Sequence, residues 1–377
     1  MPEQIGVGII GCGNISAAYM RLAPLFRGFE IRACADISEE AAKARAAEFG
    51  LRAETVDGLL AADDIDIVVN LTIPAAHFEV SSRILDAGKH VYSEKPFVLS
   101  VEEGYRLAEQ ARSKGLRIGS APDTFLGGSH QLARHLIDGG AIGKVTGGTC
   151  HVLSHGMEDW HPNPDFFFKP GGGPILDVGP YYITNLVQLI GPVKRVAAIS
   201  ATPSPERTIT SQPRRGEKIK VETPTTFHAL LEFENGAAVS LGASWDVWRH
   251  SHSPMELYGE DGSLFLPDPN FFSGDVKMTM KAEFSDAFPA WEHPMSVVNE
   301  GDGDNGVANY RAAGLADLAQ AIIEDRPHRC SLELSLHVVE IMTAILQSGE
   351  DGRFKTLETR CERPQALSPA QAAALMA

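Results

Sequence analysis

The chain has 377 residues, of which 44% are hydrophobic and 22% charged, and its 33 Lys and Arg against 49 Asp and Glu give a formal net charge of −16. That length exceeds one compact core and fits two domains, and the composition excludes disordered, collagen-like and coiled-coil chains. The negative charge argues against nucleic-acid and membrane-surface partners.

The first third alternates strand and helix signals. Ile5–Ile10 is an apolar run ending in Gly11-Cys12-Gly13, with a helical pattern to about Phe26. Strands are expected at 31–35, 65–71, 90–92 and 116–119, and helices at 41–49, 78–87 and 101–114. Strands separated by helices of this size indicate a doubly wound parallel sheet, the α/β Rossmann architecture. After Ala121 glycine and proline clusters multiply and strands pair in sequence. Segments 227–233 and 237–245 flank Glu234-Asn235-Gly236, and 257–258 and 263–266 flank Gly259-Glu260-Asp261-Gly262, two hairpin signals. Long helices return at 310–323 and 332–347, while 203–218 and 298–309 read as surface loops. The expected division is a Rossmann domain over 1–122 and an α+β domain with a mostly antiparallel open sheet over 123–377.

The cysteines Cys12, Cys34, Cys150, Cys330 and Cys361 include no CxxC pair, which suits free thiols in a reducing compartment. The N-terminus lacks the basic segment of a signal peptide, and no run approaches the roughly 20 apolar residues that span a bilayer. A cytoplasmic location is expected.

Gly11-Cys12-Gly13-Asn14-Ile15-Ser16 joins the first strand to the first helix and departs from GxGxxG in having Ser16 at the third glycine position. Gly11 allows the tight turn, and Gly13 lets backbone approach a pyrophosphate at the helix N-terminus. Asp36, 23 residues beyond Gly13, ends the second strand, where an acid accepts hydrogen bonds from the adenosine ribose. Ile37-Ser38 follows it rather than arginine, so NAD is favoured over NADP. Ligands of open parallel sheets bind beyond the carboxyl ends of the strands. Thr72-Ile73-Pro74, with His77 opening the next helix, and Glu94-Lys95-Pro96 lie at two further strand ends.

These residues, together with Gly171-Gly172-Gly173-Pro174, Asp177, Gly179 and Tyr181 in order, give a chain that resembles the Gfo/Idh/MocA family of glucose–fructose oxidoreductase and inositol dehydrogenase over essentially its whole length. The resemblance implies that Lys95 contacts the nicotinamide ribose and the substrate hydroxyl, and that Asp177 and the residue four positions later face the reacting carbon. In the inositol dehydrogenase branch that residue is His. Here it is Tyr181, as in the glucose–fructose oxidoreductase and dihydrodiol or xylose dehydrogenase branches. The family also implies a homodimer or homotetramer through the open face of the second sheet.

The spacing of Asp177 and Tyr181, i and i+4, places both on one face of a helix. Oxidising a secondary alcohol leaves a proton that a base must accept, and a phenol near pKa 10 needs help, which a nearby Lys95 ammonium gives by stabilising phenolate. Tyr182 is the neighbouring rival. In the stretch 160–169, Trp160 and Phe167 offer aromatic faces to a sugar ring and His161 and Asp165 offer polar contacts, although the same stretch suits a hydrophobic loop anchor. Asp123 and Thr124 follow the last Rossmann strand and are expected to line the cleft, with Trp245 and His250 as weaker candidates. No metal is expected. His151 and His155 on one strand lie about 13 Å apart at roughly 3.3 Å per residue, too far for one zinc with ligands about 2 Å away. The reading is an NAD-dependent oxidoreductase of a sugar, cyclitol or polyol hydroxyl. The alternative is an NAD-dependent glycoside hydrolase or lyase that works through transient C3 oxidation. A non-catalytic nucleotide-binding regulator has no need of Lys95 with Asp177 and Tyr181.

Overall fold

The computed structural model describes residues 4–280, 283–285 (backbone), 291–301 and 306–377. Its first part runs β1 (Ile5–Ile10), α1 (Asn14–Leu22), β2 (Phe29–Ala35), α2 (Glu39–Phe49), β3 (Arg52–Glu54), α3 (Val56–Ala61), β4 (Ile67–Asn70), α4 (His77–Asp86), β5 (His90–Ser93), α5 (Val101–Lys114) and β6 (Ile118–Ser120). The strands form a parallel sheet in the order β3-β2-β1-β4-β5-β6. Every residue of β1 and β4 is buried, because helices cover both faces of a parallel sheet. Local signals set the helix limits: Ser38 and Ser100 accept N-cap hydrogen bonds, and Gly50 and Gly115 close α2 and α5 in the left-handed conformation. The sequence reading missed β3 and α3. Arg52-Ala53-Glu54 is a short polar edge strand without an apolar alternation to betray it. The order in which strands are added reverses between β1 and β4, and that switch point opens the crevice in which such sheets bind ligands.

The second part comprises α6 (Gly128–Asp138), β7 (Val145–Leu153), α7 (Pro174–Asp177), α8 (Gly179–Ile190), β8 (Val193–Ala201), β9 (Glu206–Thr208), β10 (Lys218–Lys220), β11 (Thr226–Phe233), β12 (Ala238–Ser244), β13 (Met255–Gly259), β14 (Gly262–Leu266), β15 (Lys277–Met280), β16 (Glu283–Ser285), α9 (Ala313–Glu324), α10 (Leu332–Asp351), β17 (Lys355–Thr356) and α11 (Pro369–Leu375). The larger sheet has the order β16-β15-β14-β13-β7-β12-β11-β8-β17. Its pairs are antiparallel except β7 with β12. Both expected hairpins form, β11 with β12 and β13 with β14. Phe227, Ala229, Leu231 and Phe233 alternate inward along β11, towards α8, all of whose residues are buried, and α10. The other face is open, with Ile199 and Leu230 exposed.

The stretch 203–218 is more than a surface loop. It contains β9 and leads into β10, its antiparallel partner, and buries Ile209 and Arg207. The Arg207 guanidinium is paired with Glu158 and Asp246, a burial that polar composition does not announce. Of 298–309, residues 302–305 lie outside the described residues, and a Glu300–Val307 bridge joins the flanks. The helix expected from Tyr310 starts at Ala313, so Tyr310 and Arg311 precede it. From there α9 packs on β6 and α10 on α5 and β6, which returns the last part of the chain to the first sheet. All five cysteines are free and buried. No described helix is long and apolar enough to cross a membrane.

Candidate active site

Two glycines shape the turn between β1 and α1 for different reasons. Gly11 has φ +103°, and a Cβ there would lie 2.6 Å from the Leu71 carbonyl, so any side chain is barred sterically. Gly13 has an unexceptional φ of −70°, and a Cβ there would meet nothing within 4 Å. The space it leaves lies at the start of α1, whose first turn, beginning Asn14-Ile15, carries neither an acid nor a side-chain cap. Free amides facing an open cradle suit a pyrophosphate. Asp36 is fixed beside the turn, its Oδ2 accepting the Cys12 amide at 2.7 Å and its Oδ1 the Ser38 amide at 2.9 Å. Each oxygen keeps acceptor capacity for ribose hydroxyls. These residues fit a dinucleotide.

At the next strand end the Thr72 hydroxyl and amide both donate to Asn70 Oδ1, at 2.7 and 3.2 Å, and Pro74 is exposed at the start of a helical turn. His77 is buried, with Nδ1 2.7 Å from the Pro96 carbonyl and Nε2 3.0 Å from that of Thr72. It ties two strand-end loops together instead of facing the crevice. Glu94 is likewise engaged: Oε1 accepts the Tyr19 hydroxyl at 3.0 Å, and Oε2 accepts the Lys95 amide at 2.9 Å. The carboxylate thereby orients the Lys95 backbone.

Lys95 Nζ donates to Asp177 Oδ1 at 3.0 Å and to the Asp177 carbonyl at 2.8 Å, and lies 5.3 Å from the centre of the Tyr181 ring. Asp177 closes α7 and Tyr181 falls in the first turn of α8, so the two sit on successive helices joined at Val178, not on one. All three line a cleft of about 580 Å³, with Trp160, Phe167 and Arg311. Burial works against the Lys95 charge, yet the Asp177 carboxylate, which Lys95 also hydrogen-bonds, and Glu94 outweigh it and hold the ammonium above the ordinary lysine value. Burial also pushes the Tyr181 phenol up, and the opposing pull of Lys95 and Arg311 does not cancel it. Lys95 thus favours the phenolate, in the expected direction, while burial keeps the phenol protonated at rest. Tyr182 turns elsewhere and hydrogen-bonds Asp268.

Residues 5–121 match the oxidoreductase family with an NAD-binding Rossmann fold, and residues 130–265 match the GFO/IDH/MocA C-terminal domain. The dTDP-3,4-didehydro-2,6-dideoxy-alpha-D-glucose 3-reductase of Streptomyces violaceoruber is 33% identical over 70% of this chain and 73% of its own. The chain belongs to the Gfo/Idh/MocA family. Levoglucosan dehydrogenase of Pseudarthrobacter phenanthrenivorans is 27% identical over 70% of this chain and 73% of its own length. A structure of levoglucosan dehydrogenase in complex with NADH superimposes with a TM-score of 0.78, covering 94% of this chain and 100% of that one at 21% identity. An uncharacterized oxidoreductase of Schizosaccharomyces pombe is 33% identical over a shorter region, 45% of this chain and 47% of its own.

Within this Gfo/Idh/MocA chain the cleft gathers Lys95, Asp177, Tyr181, Trp160 and Phe167 from the sequence-derived candidates. It does not gather the others. Asp123, expected to line it, is buried behind it, where Oδ2 accepts the Ala312 and Gly314 amides, each at 3.1 Å. The Thr124 hydroxyl is spent on the Pro269 carbonyl at 2.6 Å. Asp165 is paired with Arg214. His161 stands edge-on to Trp160 and Phe167, its Nδ1 accepting the Asn163 amide at 3.0 Å. Trp245 is fully buried under Phe167 and Phe168, and His250 stacks 6.1 Å from His252. Among the described residues, no three His, Cys, Asp or Glu side chains could together hold a metal ion. His151 stacks on His252 at 4.1 Å. Sequence reasoning missed Arg311, Asn309 and Glu300, which also line the cleft. The polar run Asn309-Tyr310-Arg311 was the available signal, but Asn309 was read as the end of a surface loop and Tyr310 and Arg311 as the start of a helix.

Proposed function

We propose that this cleft moves hydride between NAD and a secondary hydroxyl or ketone of a sugar, cyclitol or related polyol. The observation that carries the reading is the Lys95–Asp177–Tyr181 cluster beyond the carboxyl ends of a dinucleotide-fitting sheet. NAD, when bound along Gly11, Gly13 and Asp36, supplies the hydride acceptor or donor. Asp177 holds the Lys95 ammonium, which polarises the substrate oxygen, and the Tyr181 phenol carries the proton. Since that phenol rests protonated, it is set to deliver a proton to a ketone, and oxidation proceeds as rising pH removes it. Trp160 and Phe167 offer apolar faces to the C–H groups of a ring. The names of the relatives, a levoglucosan dehydrogenase and a deoxyglucose 3-reductase, support a sugar substrate.

NAD over NADP follows from Asp36, whose carboxylate repels a 2′-phosphate. Arg45 beside the turn is already committed to Glu48 at 2.6 Å and to the Gly13 carbonyl at 3.3 Å. The open sheet face with Ile199 and Leu230 supports a homodimer or homotetramer in the same reading. The direct test incubates purified protein and NAD with aldoses, inositols, anhydrosugars and glycosides, reading NADH absorbance and products together. NADH with one ketone product is expected. Aglycone release without NADH would instead establish the transient-oxidation hydrolase or lyase.

A further inference from the structure

Other enclosed arginines of this protein are paired with carboxylates. Arg329 bonds Asp317 and the Gln365 and Ala366 carbonyls, Arg134 bonds Asp138 and the Gln188 and Pro364 carbonyls, and Arg207 bonds Glu158 and Asp246, although its Nε has no partner. Arg311 has no carboxylate partner among the described residues. It is half-buried and lines the cleft that holds Lys95, Asp177 and Tyr181. Its backbone amide reaches Asn309 Oδ1 at 3.3 Å, but among the described residues its guanidinium has no hydrogen-bond or ion-pair partner. The side chain lines the cleft with donors that no described residue uses.

The carboxylates nearest in charge do not dock with it. Burial opposes the Arg311 charge, and the Glu94 and Asp123 carboxylates offset that burial through space. Yet Glu94 is occupied by Tyr19 and the Lys95 amide, and Asp123 by the Ala312 and Gly314 amides. Glu300, also in the cleft, is paired with Arg21 and Asn309. The guanidinium is therefore stabilised as a cation while no described residue takes its five donors. Its backbone is held for this purpose. Ala312 adopts φ +93°, a conformation costly for a residue with a Cβ, and the Asp123 carboxylate pins the turn through the two amides that flank it.

A planar fork of free donors matches a carboxylate in bidentate geometry. Resting on the hydride-transfer reading above, we propose that Arg311 is a specificity-determining residue that receives the carboxylate of an acidic sugar, so that the substrate class is a uronate or aldonate and not a neutral sugar. A monoanion is favoured over a phosphate dianion because Asp177 and Glu300 line the same cleft.

The test compares glucose, glucuronate, gluconate and glucose 6-phosphate for NADH formation by the wild type and by Arg311→Gln. In parallel, calorimetry measures the affinity of each protein for glucuronate in the presence of NADH, and NAD titration measures cofactor affinity. Wild type is expected to prefer a carboxylate sugar, and Arg311→Gln to lose about 100-fold in kcat/KM for it, mostly through KM, and at least 10-fold more than for the neutral partner. If no sugar yields NADH, the hydride-transfer reading fails, and the glucuronate affinity alone then decides for or against Arg311. Equal losses for acid and neutral sugars, a preference for the phosphate, a glucuronate affinity unaffected by the substitution, or a weakened NAD affinity would each overturn the proposal. The last would assign Arg311 to the cofactor phosphates.

Discussion

At the scale of single residues, the site separates groups that hold geometry from groups that meet ligand. Gly11 belongs to the first kind and Gly13 to the second, because a methyl group at 13 has room in the protein and none once a pyrophosphate fills the cradle. Gly13→Ala should keep the melting temperature within about 2 °C of wild type yet weaken NAD binding about 10-fold or more, since only the bound state meets the added carbon. Equal NAD affinity in a titration would place the pyrophosphate elsewhere. Tyr181 makes a second prediction. With its pKa raised by burial, log kcat/KM for alcohol oxidation should climb through pH 9 without the break near 6.5 that histidine would give. Tyr181→Phe should flatten that slope and cost about 10²–10⁴ in turnover, and a slope that survives would move the proton path to another group. Gly11 and Gly13 were legible in the sequence because they sit where a strand ends, a position that local patterning reveals, and Tyr181 because it follows the glycine run Gly171-Gly172-Gly173-Pro174 in a fixed order. Arg311 was not, because the turn that presents it is held by Asp123, and the Asp123–Ala312 contact spans 189 residues.

At the scale of elements, the aromatic wall of the cleft rests on a core of its own. Met157, Phe167, Phe168, Ile209, Ile219, Val221 and Trp245 form a cluster separate from the main hydrophobic core. Phe168 and Trp245 are completely buried in it, with ring centres 5.6 Å apart. Phe168→Ala opens a cavity in the cluster that holds Phe167 and should cost about 3–5 kcal/mol locally. Because the cluster stands apart, hydrogen exchange over residues 157–169 should rise and KM should increase more than kcat falls. Protection unchanged in that segment would mean that the wall is held from elsewhere. The sequence showed the aromatic stretch but not its floor. Residues 203–218 read as a surface loop, and only the pairing of β9 with β10 brings Ile209 and Ile219 inward. By contrast α5 was legible to the residue, because Ser100 and Gly115 mark its ends chemically.

At the scale of the whole molecule, the two sheets are locked together by the last helices, which return from the second sheet to pack on β6 and α5. The architecture was readable because hydrophobic runs and turn residues alternate in chain order. The return of the C-terminal helices was not, since nothing local names their distant partners. The assembled interior also sets a pH dependence. Burial lowers the pKa values of His90, His130, His293 and His337 to about 4 each. An unfolded chain protonates these groups near 6.5 while the folded protein does so only near 4, so the stability they permit is complete above pH 6.5 and falls as pH drops through that window. Each contributes up to about 1.4 kcal/mol per pH unit, and Asp123, raised by burial to about 6, offsets part of the loss because its protonation favours the fold. Urea midpoints should therefore decline from pH 7 to pH 5, and a flat profile would show that these imidazoles are solvated in the native state.

The central claim is that Lys95, held by Asp177 and set against Tyr181, performs the chemistry while the glycine turn and Asp36 hold the cofactor. The most direct measurement is the turnover and NAD affinity of Lys95→Ala on whichever substrate the sugar panel yields. Turnover should fall by about 10²–10⁴ with NAD affinity within a few-fold of wild type, whereas unchanged turnover would contradict the account.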